Sequence, residues 1–151
     1  MRTIDAIKNI LIEQTNAYYM LLNLLQRERV CLVNLNVGGI EELSKEKDTV
    51  VLRLRLLEEE RIRLTNKFFA DNMIEGPVNL HRLYEVTADE SFYQLRSQLT
   101  SLFQSIEEVN AFNTILIGRS LNFIKNSVSF LESFGFSINQ NSTGVILSKE
   151  I

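Results

Sequence analysis

Few side chains in this sequence of 151 residues could carry out chemistry. It has one histidine, His81, and one cysteine, Cys31, and His81 has no other ligand at the spacing that a metal site requires. The consecutive carboxylates Glu58, Glu59 and Glu60 diverge around a helix, so they are interpreted as solvated side chains and not as a catalytic pair. With no nucleophile, base and orienting group, the sequence predicts no enzyme and no cofactor.

The glycine pair Gly38-Gly39 could suggest a phosphate-binding loop. Such a loop needs a preceding strand and further glycines, and the sequence has neither. The pair is therefore interpreted as a break between two helices, because glycine is costly inside a helix.

Charge and composition restrict the possible partners and compartment. The net charge of −3 and the pI near 5.3 argue against nucleic-acid binding. No apolar run approaches the roughly 18 residues that span a bilayer, so no membrane insertion is expected. The lone Cys31 fits a reducing compartment, and residues 1–5 lack the apolar segment of a signal peptide. We therefore expect a cytoplasmic location.

Helices must position whatever site exists. Hydrophobic residues make up 45% of the chain and Pro77 is its only proline, which favours long helices. The periodicity predicts helices over about 3–34, 40–72 and 88–133, with one or two extra turns near Leu80. Thr87 and Glu90 form a capping-box pattern before the third helix, and Gly135 marks its end.

The third helix carries a seven-residue repeat of apolar residues. The seam predicted from this repeat comprises Phe92, Leu95, Leu99, Leu102, Ile106, Val109, Asn113, Leu116, Ser120, Phe123, Ser127, Phe130 and Phe134. We therefore predict an all-α fold: an antiparallel bundle of three long helices with coiled-coil-like packing over residues 1–134. Residues 135–151 are predicted to be a C-terminal tail that binds a partner or is weakly ordered.

Three polar or small residues interrupt the helices. Asn113 is predicted to bond to a neighbouring helix within the core. Lys47 lies on the seam of the second helix, where its stem can cover apolar surface while its charge reaches water. Gly118 is predicted to allow either close approach of another backbone or a kink.

The last third of the third helix has more apolar residues than one seam needs, because a second row runs beside the first. This surplus predicts a protein-binding surface at the C-terminal end. Its candidate residues are Ile117, Leu121, Phe123, Ile124, Phe130, Leu131, Phe134 and Phe136.

Two stretches resemble the FlgN-like flagellar type III export chaperones. The second helix is similar in its run Leu43, Glu46-Lys47, Leu54, Leu57-Glu58-Glu59-Glu60-Arg61 and Leu64. The third helix is similar in its pattern Asn110-x-x-Asn113-x-x-Leu116-Ile117-x-x-Ser120-Leu121, and a polar tail with a glycine follows Gly135.

The resemblance implies a chaperone that binds the hook–filament junction (hook-associated) proteins before export, keeps them unpolymerised and delivers them to the export gate. It also implies that the C-terminal helix and tail take the substrate. The alternative is a structural coiled-coil protein whose surplus apolar surface makes a homo-oligomer. A pull-down distinguishes the two, because a chaperone retains a substrate and a structural oligomer retains only itself.

Overall fold

The structure, a computed structural model, describes residues 2–135. These residues form four helices and no strand: α1 (Thr3–Val33), α2 (Val37–Asp71), α3 (Leu80–Thr87) and α4 (Glu90–Glu132). The predicted all-α fold and its three long helices are confirmed. The turns predicted near Leu80 form a fourth, short helix beside the three long ones.

The break between α1 and α2 lies slightly before the glycine pair. Leu35 adopts a left-handed φ of 53°, and α2 already begins at Val37. The Asn36 side chain caps α2 by accepting a hydrogen bond of 3.0 Å from the Gly39 N–H. A Cβ at Gly39 would lie 2.8 Å from the Cys31 sulfur, so the glycine serves close packing of the turn on α1.

The capping box predicted for the long C-terminal helix is wrong. The carboxylate of Asp89 caps α4 and accepts a bond of 2.9 Å from a backbone N–H of its first turn. The Thr87 hydroxyl instead donates to the Leu83 carbonyl oxygen, 2.6 Å away, in the last turn of α3. Ala88 has a left-handed φ of 52°, so the chain changes direction between the two helices. As a result, Asp89 is the residue that directly precedes α4.

Helix α1 lies between α2 and α4 and packs against both, whereas no Cα atom of α2 comes within 8 Å of one in α4. One apolar cluster joins Ile7 of α1, Phe69 of α2 and Phe92 of α4. At the other end, Leu32 of α1 and Ile40 of α2 form a cluster with part-buried residues of α4. Helices α1 and α4 therefore run in the same direction, and α2 runs opposite to them.

A buried polar cluster joins the three long helices near the middle of α4. The Lys47 ammonium of α2 donates to the Glu28 carboxylate of α1 at 2.9 Å, and both side chains are almost fully buried. The Asn113 amide of α4 donates to the other oxygen of Glu28 at 3.1 Å and to the Leu25 carbonyl at 2.9 Å. The predicted role of Asn113 is confirmed. The prediction for Lys47 is wrong, because its charge is paired inside the core.

A second polar cluster ties α1 to α2 nearer the end of the bundle where α1 begins and α2 ends. The Arg61 guanidinium donates to Glu58, whose carboxylate also accepts a bond of 2.7 Å from the Gln14 amide. The bond from Arg61 lowers the pKa of the Glu58 carboxyl, whereas burial raises the pKa of the neighbouring Tyr18 hydroxyl. Because the pKa of Glu58 is depressed on folding, its contribution to stability is present at neutral pH and is lost as the pH falls through that pKa.

Gly118 lies inside α4, and no atom of another helix among residues 2–135 lies within 4 Å of the position that a Cβ would take. The close approach of another backbone, predicted as one of its roles, is therefore wrong. We expect Gly118→Ala to raise the free energy of unfolding by about 0.5–1 kcal/mol, because alanine loses less backbone freedom in a helix. Urea melts of this variant and the wild type test the expectation, and a lower stability of the variant would contradict it.

Candidate protein-binding surface

One side of the C-terminal part of α4 stays buried as far as Val128, which is 7% exposed. Ile117 and Ile124 are part-buried against Leu32 and Ile40, which flank the turn between α1 and α2. Ile124 is the last residue of α4 that packs on any of the apolar clusters of the described chain. The helix then runs on to Glu132, about two further turns.

Large aromatic side chains of this segment face away from the bundle. Phe123, Phe130 and Phe134 are 62%, 63% and 67% exposed. The rings of Phe130 and Phe134 contact each other edge to face, with their centroids 5.0 Å apart. Such exposure is unusual for phenylalanine, which is among the residues most often found inside proteins.

The remaining candidates are in different environments. Leu121 and Leu131 are 38% and 39% exposed, at the border between the exposed side and the side that faces the bundle. Ile117 and Ile124 hold α4 on the bundle, as described above. Phe136 lies outside the described residues.

The predicted course of the seam through Phe123 and Phe130 is wrong. After Asn113, the side of α4 that faces the bundle carries the buried Val128 and the part-buried Leu116, Ile117, Ser120, Ile124 and Ser127. A straight helix has 3.6 residues per turn, so a strict seven-residue repeat drifts by about 20° per repeat. Phe123 is more than four repeats after the first seam residue, so the repeat has rotated by about 90°, away from the bundle.

The structure adds one aromatic residue that the sequence analysis missed. Phe112 is 47% exposed and stands eleven residues before Phe123, which itself stands eleven before Phe134. An eleven-residue spacing is close to three full helical turns, so these three side chains stay on one side of a straight helix. This eleven-residue spacing is the feature of the sequence from which Phe112 could have been predicted as an exposed residue. Together with Phe130 they form a surface that we call the aromatic row: Phe112, Phe123, Phe130 and Phe134.

The side of α4 with the aromatic row includes one charged residue: Arg119 is exposed and stands seven residues after Phe112 and four before Phe123. Between residues 109 and 135 only Arg119, Lys125 and Glu132 are charged. Among residues 2–135 no group of histidine, cysteine and carboxylate side chains is arranged to hold a metal ion. None of the helices in that range combines the length and the apolar character that crossing a bilayer requires. The chemistry that the row offers is the burial of apolar surface against a partner.

The family described as FlgN protein matches residues 1–139, which include all four helices and the whole aromatic row. The chain belongs to the FlgN family. The resemblance inferred from the second and third predicted helices is thereby confirmed, and FlgN proteins are chaperones of flagellum assembly. Comparison with curated proteins and with solved structures found no significant match. In this FlgN-family chain, the aromatic row is the exposed apolar feature at the C-terminal end of the described structure.

Proposed function

We propose that this chain is a flagellar export chaperone that binds hook-associated proteins in the cytoplasm, keeps them unpolymerised and delivers them to the type III export apparatus. The observation that carries the proposal is the exposed aromatic row on the C-terminal part of α4. Membership of the FlgN family supports the same role. The proposed function is one of binding and needs no catalytic group.

The size of the aromatic row supports a binding role. A phenylalanine side chain buries about 200 Å² when it is covered, so four that are half to two-thirds exposed leave roughly 400–500 Å² of apolar surface. The largest patch on a typical monomer is about 300–600 Å² and is often functional. The row is therefore as large as the largest patch on a typical monomer, a size that is often functional.

The shape of the surface favours a helical ligand. The row follows α4 from Phe112 to Phe130, about 27 Å, and ends at Phe134 in the turn after the helix. This length is enough to pack along several turns of an amphipathic helix. Because Arg119 is the one charged residue among the exposed phenylalanines, we expect a partner to be held mainly by apolar contacts, with little dependence on salt. We propose that the ligand is a terminal helical segment of the hook-associated protein, and that Leu121 and Leu131 border its position.

The C-terminal tail, residues 136–151, is proposed to close over the bound segment. Removing it should weaken substrate binding by about fivefold or more, because Phe136 and the tail's apolar residues would no longer cover the ligand. Isothermal titration calorimetry of the full chain and of a chain ending at Gly135, against the same substrate, tests this. Equal affinities, with helix content unchanged in circular dichroism, would contradict a role for the tail.

The proposed function is tested by co-purification with the hook-associated proteins of the same flagellar system. We expect one of them to be retained in a stable complex of near equal stoichiometry. We also expect it to stay unpolymerised under conditions in which the isolated protein assembles.

The competing function is that of a structural homo-oligomer. It predicts that the chain retains only itself and leaves the assembly of hook-associated proteins unchanged. That outcome would overturn the chaperone proposal.

A further inference from the structure

A cavity of about 310 Å³ lies between α2 and α4, with α1 as its floor. There is room for it because α2 and α4 stay apart along α1. Leu11 of α1 and Leu99 of α4 give it apolar walls, and residues 78–80, which lead into α3, form a further side. An apolar cavity of about 150 Å³ is enough to hold benzene, so this one has room for a benzene-sized group and a polar group beside it. We call it the α2–α4 cavity.

The α2–α4 cavity carries an unbalanced positive charge. Glu58 is the only carboxylate among the described residues that line it, and it already accepts hydrogen bonds from Arg61 and from the Gln14 amide. Arg96 also lines the cavity, and its guanidinium makes no ion pair or hydrogen bond within residues 2–135. Arg96 is the only charged residue between positions 91 and 106, so no carboxylate of α4 lies within one turn of it.

Two further hydrogen-bond donors at the cavity are unused. The Tyr18 hydroxyl makes no hydrogen bond within the described part of the chain, although its ring packs edge to face on Phe103 with the centroids 4.7 Å apart. The side-chain oxygen of Asn79 caps α3, which leaves its N–H groups without a partner in the same range. The free polar groups are therefore mainly donors. They favour a carboxylate, which only accepts hydrogen bonds and can bind an arginine through both of its oxygens.

The opening of the cavity is apolar as well as charged. Val78 and Phe103 line the cavity and are exposed, as Arg96 is. A ligand with an apolar body would cover the first two side chains while its carboxylate meets the guanidinium, so apolar burial and charge-assisted hydrogen bonds would act together. We propose that the α2–α4 cavity is a binding site for a carboxylate on a compact apolar body, supplied by a small arylalkanoic acid or by the C-terminal residue of a peptide.

The α2–α4 cavity and the aromatic row lie on opposite sides of α4. Phe112, the first residue of the row, stands nine residues after Phe103. Nine residues make two and a half helical turns and about 14 Å along the axis, so the two rings point in opposite directions. The cavity can therefore be occupied while the aromatic row is free or covered. The inference does not depend on binding of a hook-associated protein.

Heteronuclear NMR titration of the isotope-labelled full chain tests the site. The probes are hydrocinnamate and its uncharged amide, which have the same shape. We expect the acid to shift the signals of residues around Tyr18 and Arg96, with a dissociation constant of about 0.1–5 mM for a ligand of this size. The amide should bind at least about tenfold more weakly, because it lacks the charge that Arg96 would meet.

A tripeptide ending in phenylalanine distinguishes the two sources of the carboxylate. Tighter binding of the tripeptide than of hydrocinnamate would identify a peptide terminus as the ligand. Equal or weaker binding would identify a small acid. In either case the tripeptide with an amidated C-terminus should bind at least about tenfold more weakly than the free form.

Variants of the full chain assign the binding to named groups. Arg96→Gln should lower the affinity for hydrocinnamate to within about threefold of that for the amide, and should leave the affinity for the amide unchanged. Tyr18→Phe should weaken binding of the acid by about threefold or more. Arg55→Gln removes an exposed arginine of α2 that does not line the cavity, and this matched control should change neither affinity.

Several outcomes would overturn the proposal. One is the absence of saturable shifts with hydrocinnamate and the tripeptide at concentrations up to about 20 mM. Equal affinities for acid and amide, or an unchanged affinity for the acid in Arg96→Gln, would exclude recognition of the carboxylate by Arg96. Loss of binding in Phe130→Ala with Phe134→Ala, but not in Arg96→Gln, would place the ligand on the aromatic row instead.

Discussion

Replacing Phe130 and Phe134 together with alanine is expected to lower the affinity for a hook-associated protein by about 2 kcal/mol or more, roughly 30-fold. The two rings are the most exposed members of the aromatic row and contact each other, so they form one apolar anchor. Calorimetric titration with the terminal segments of the substrate measures the loss. The effect on folding should be small, because neither ring packs on an apolar cluster of the bundle.

A matched pair of leucines provides the control for this experiment. Leu52 and Leu56 are also four residues apart, are similarly exposed, and lie on α2 away from the aromatic row. Leu52→Ala with Leu56→Ala should leave the affinity unchanged. Undiminished affinity in the phenylalanine variant, with helix content intact, would place the site elsewhere. Unfolding of that variant would instead show that the two phenylalanines belong to the core, which would favour the structural oligomer.

Removing the buried ammonium by Lys47→Met is expected to lower the free energy of unfolding by about 3–5 kcal/mol. The substitution keeps most of the side-chain volume, but it leaves the Glu28 carboxylate in the core with only the Asn113 amide as a charge-stabilising partner. A buried charge without its counter-charge is strongly destabilising, because it has lost its hydration by water and no interaction of equal strength replaces it. Urea denaturation at neutral pH measures the loss.

Two further variants separate the charge effect from simple loss of contact. Arg53→Met removes the half-exposed partner of Glu13 and should cost no more than about 1 kcal/mol, as exposed pairs do. Glu28→Gln combined with Lys47→Met removes both buried charges and should recover much of the stability lost in the single variant. If Lys47→Met costs no more than Arg53→Met, the pair does not act as a buried ion pair.

The sequence predicts the ends of the long helices better than their starts. The predicted ends at about 34, 72 and 133 fall within one residue of Val33, Asp71 and Glu132. The starts of α2 and α4 depend on left-handed turns at Leu35 and Ala88, which place the caps two residues away from the predicted signals. A leucine or an alanine in the sequence does not predict a left-handed conformation, because only glycine and asparagine adopt it readily.

The pairing of polar residues across helices is harder to predict than their positions. The pattern indicates that Asn113 and Lys47 each interrupt an apolar seam, and Glu28 is a third polar residue, on α1. It does not indicate that they meet, since their contact depends on the relative offset of three helices along their axes. With a partner close by, Lys47 is stable when buried, whereas the same side chain on an isolated helix would extend into water.

The sequence predicts where along α4 the exposed apolar surface lies, but not which side of the helix it occupies. The surplus of apolar residues after Ile117 correctly locates exposed hydrophobic surface at the C-terminal end of α4. Which row is exposed depends on the number of residues per turn: a seven-residue repeat corresponds to about 3.5, whereas a straight helix has about 3.6. That difference is small in any one repeat and becomes large only by Phe123. The same accumulated rotation explains why Phe112 belongs to the aromatic row although the repeat places it off the seam.

Site-specific photo-crosslinking tests most directly whether the aromatic row is the substrate surface. The photoreactive residue p-benzoylphenylalanine in place of Phe123 keeps an aromatic ring there, and the same residue in place of Tyr93 probes a similarly exposed position at the other end of α4. In the complex with a hook-associated protein, we predict a crosslinked product from position 123 and none from position 93. A crosslink from position 93 alone, or from neither position while the complex remains intact, would contradict the assignment of the substrate to the aromatic row.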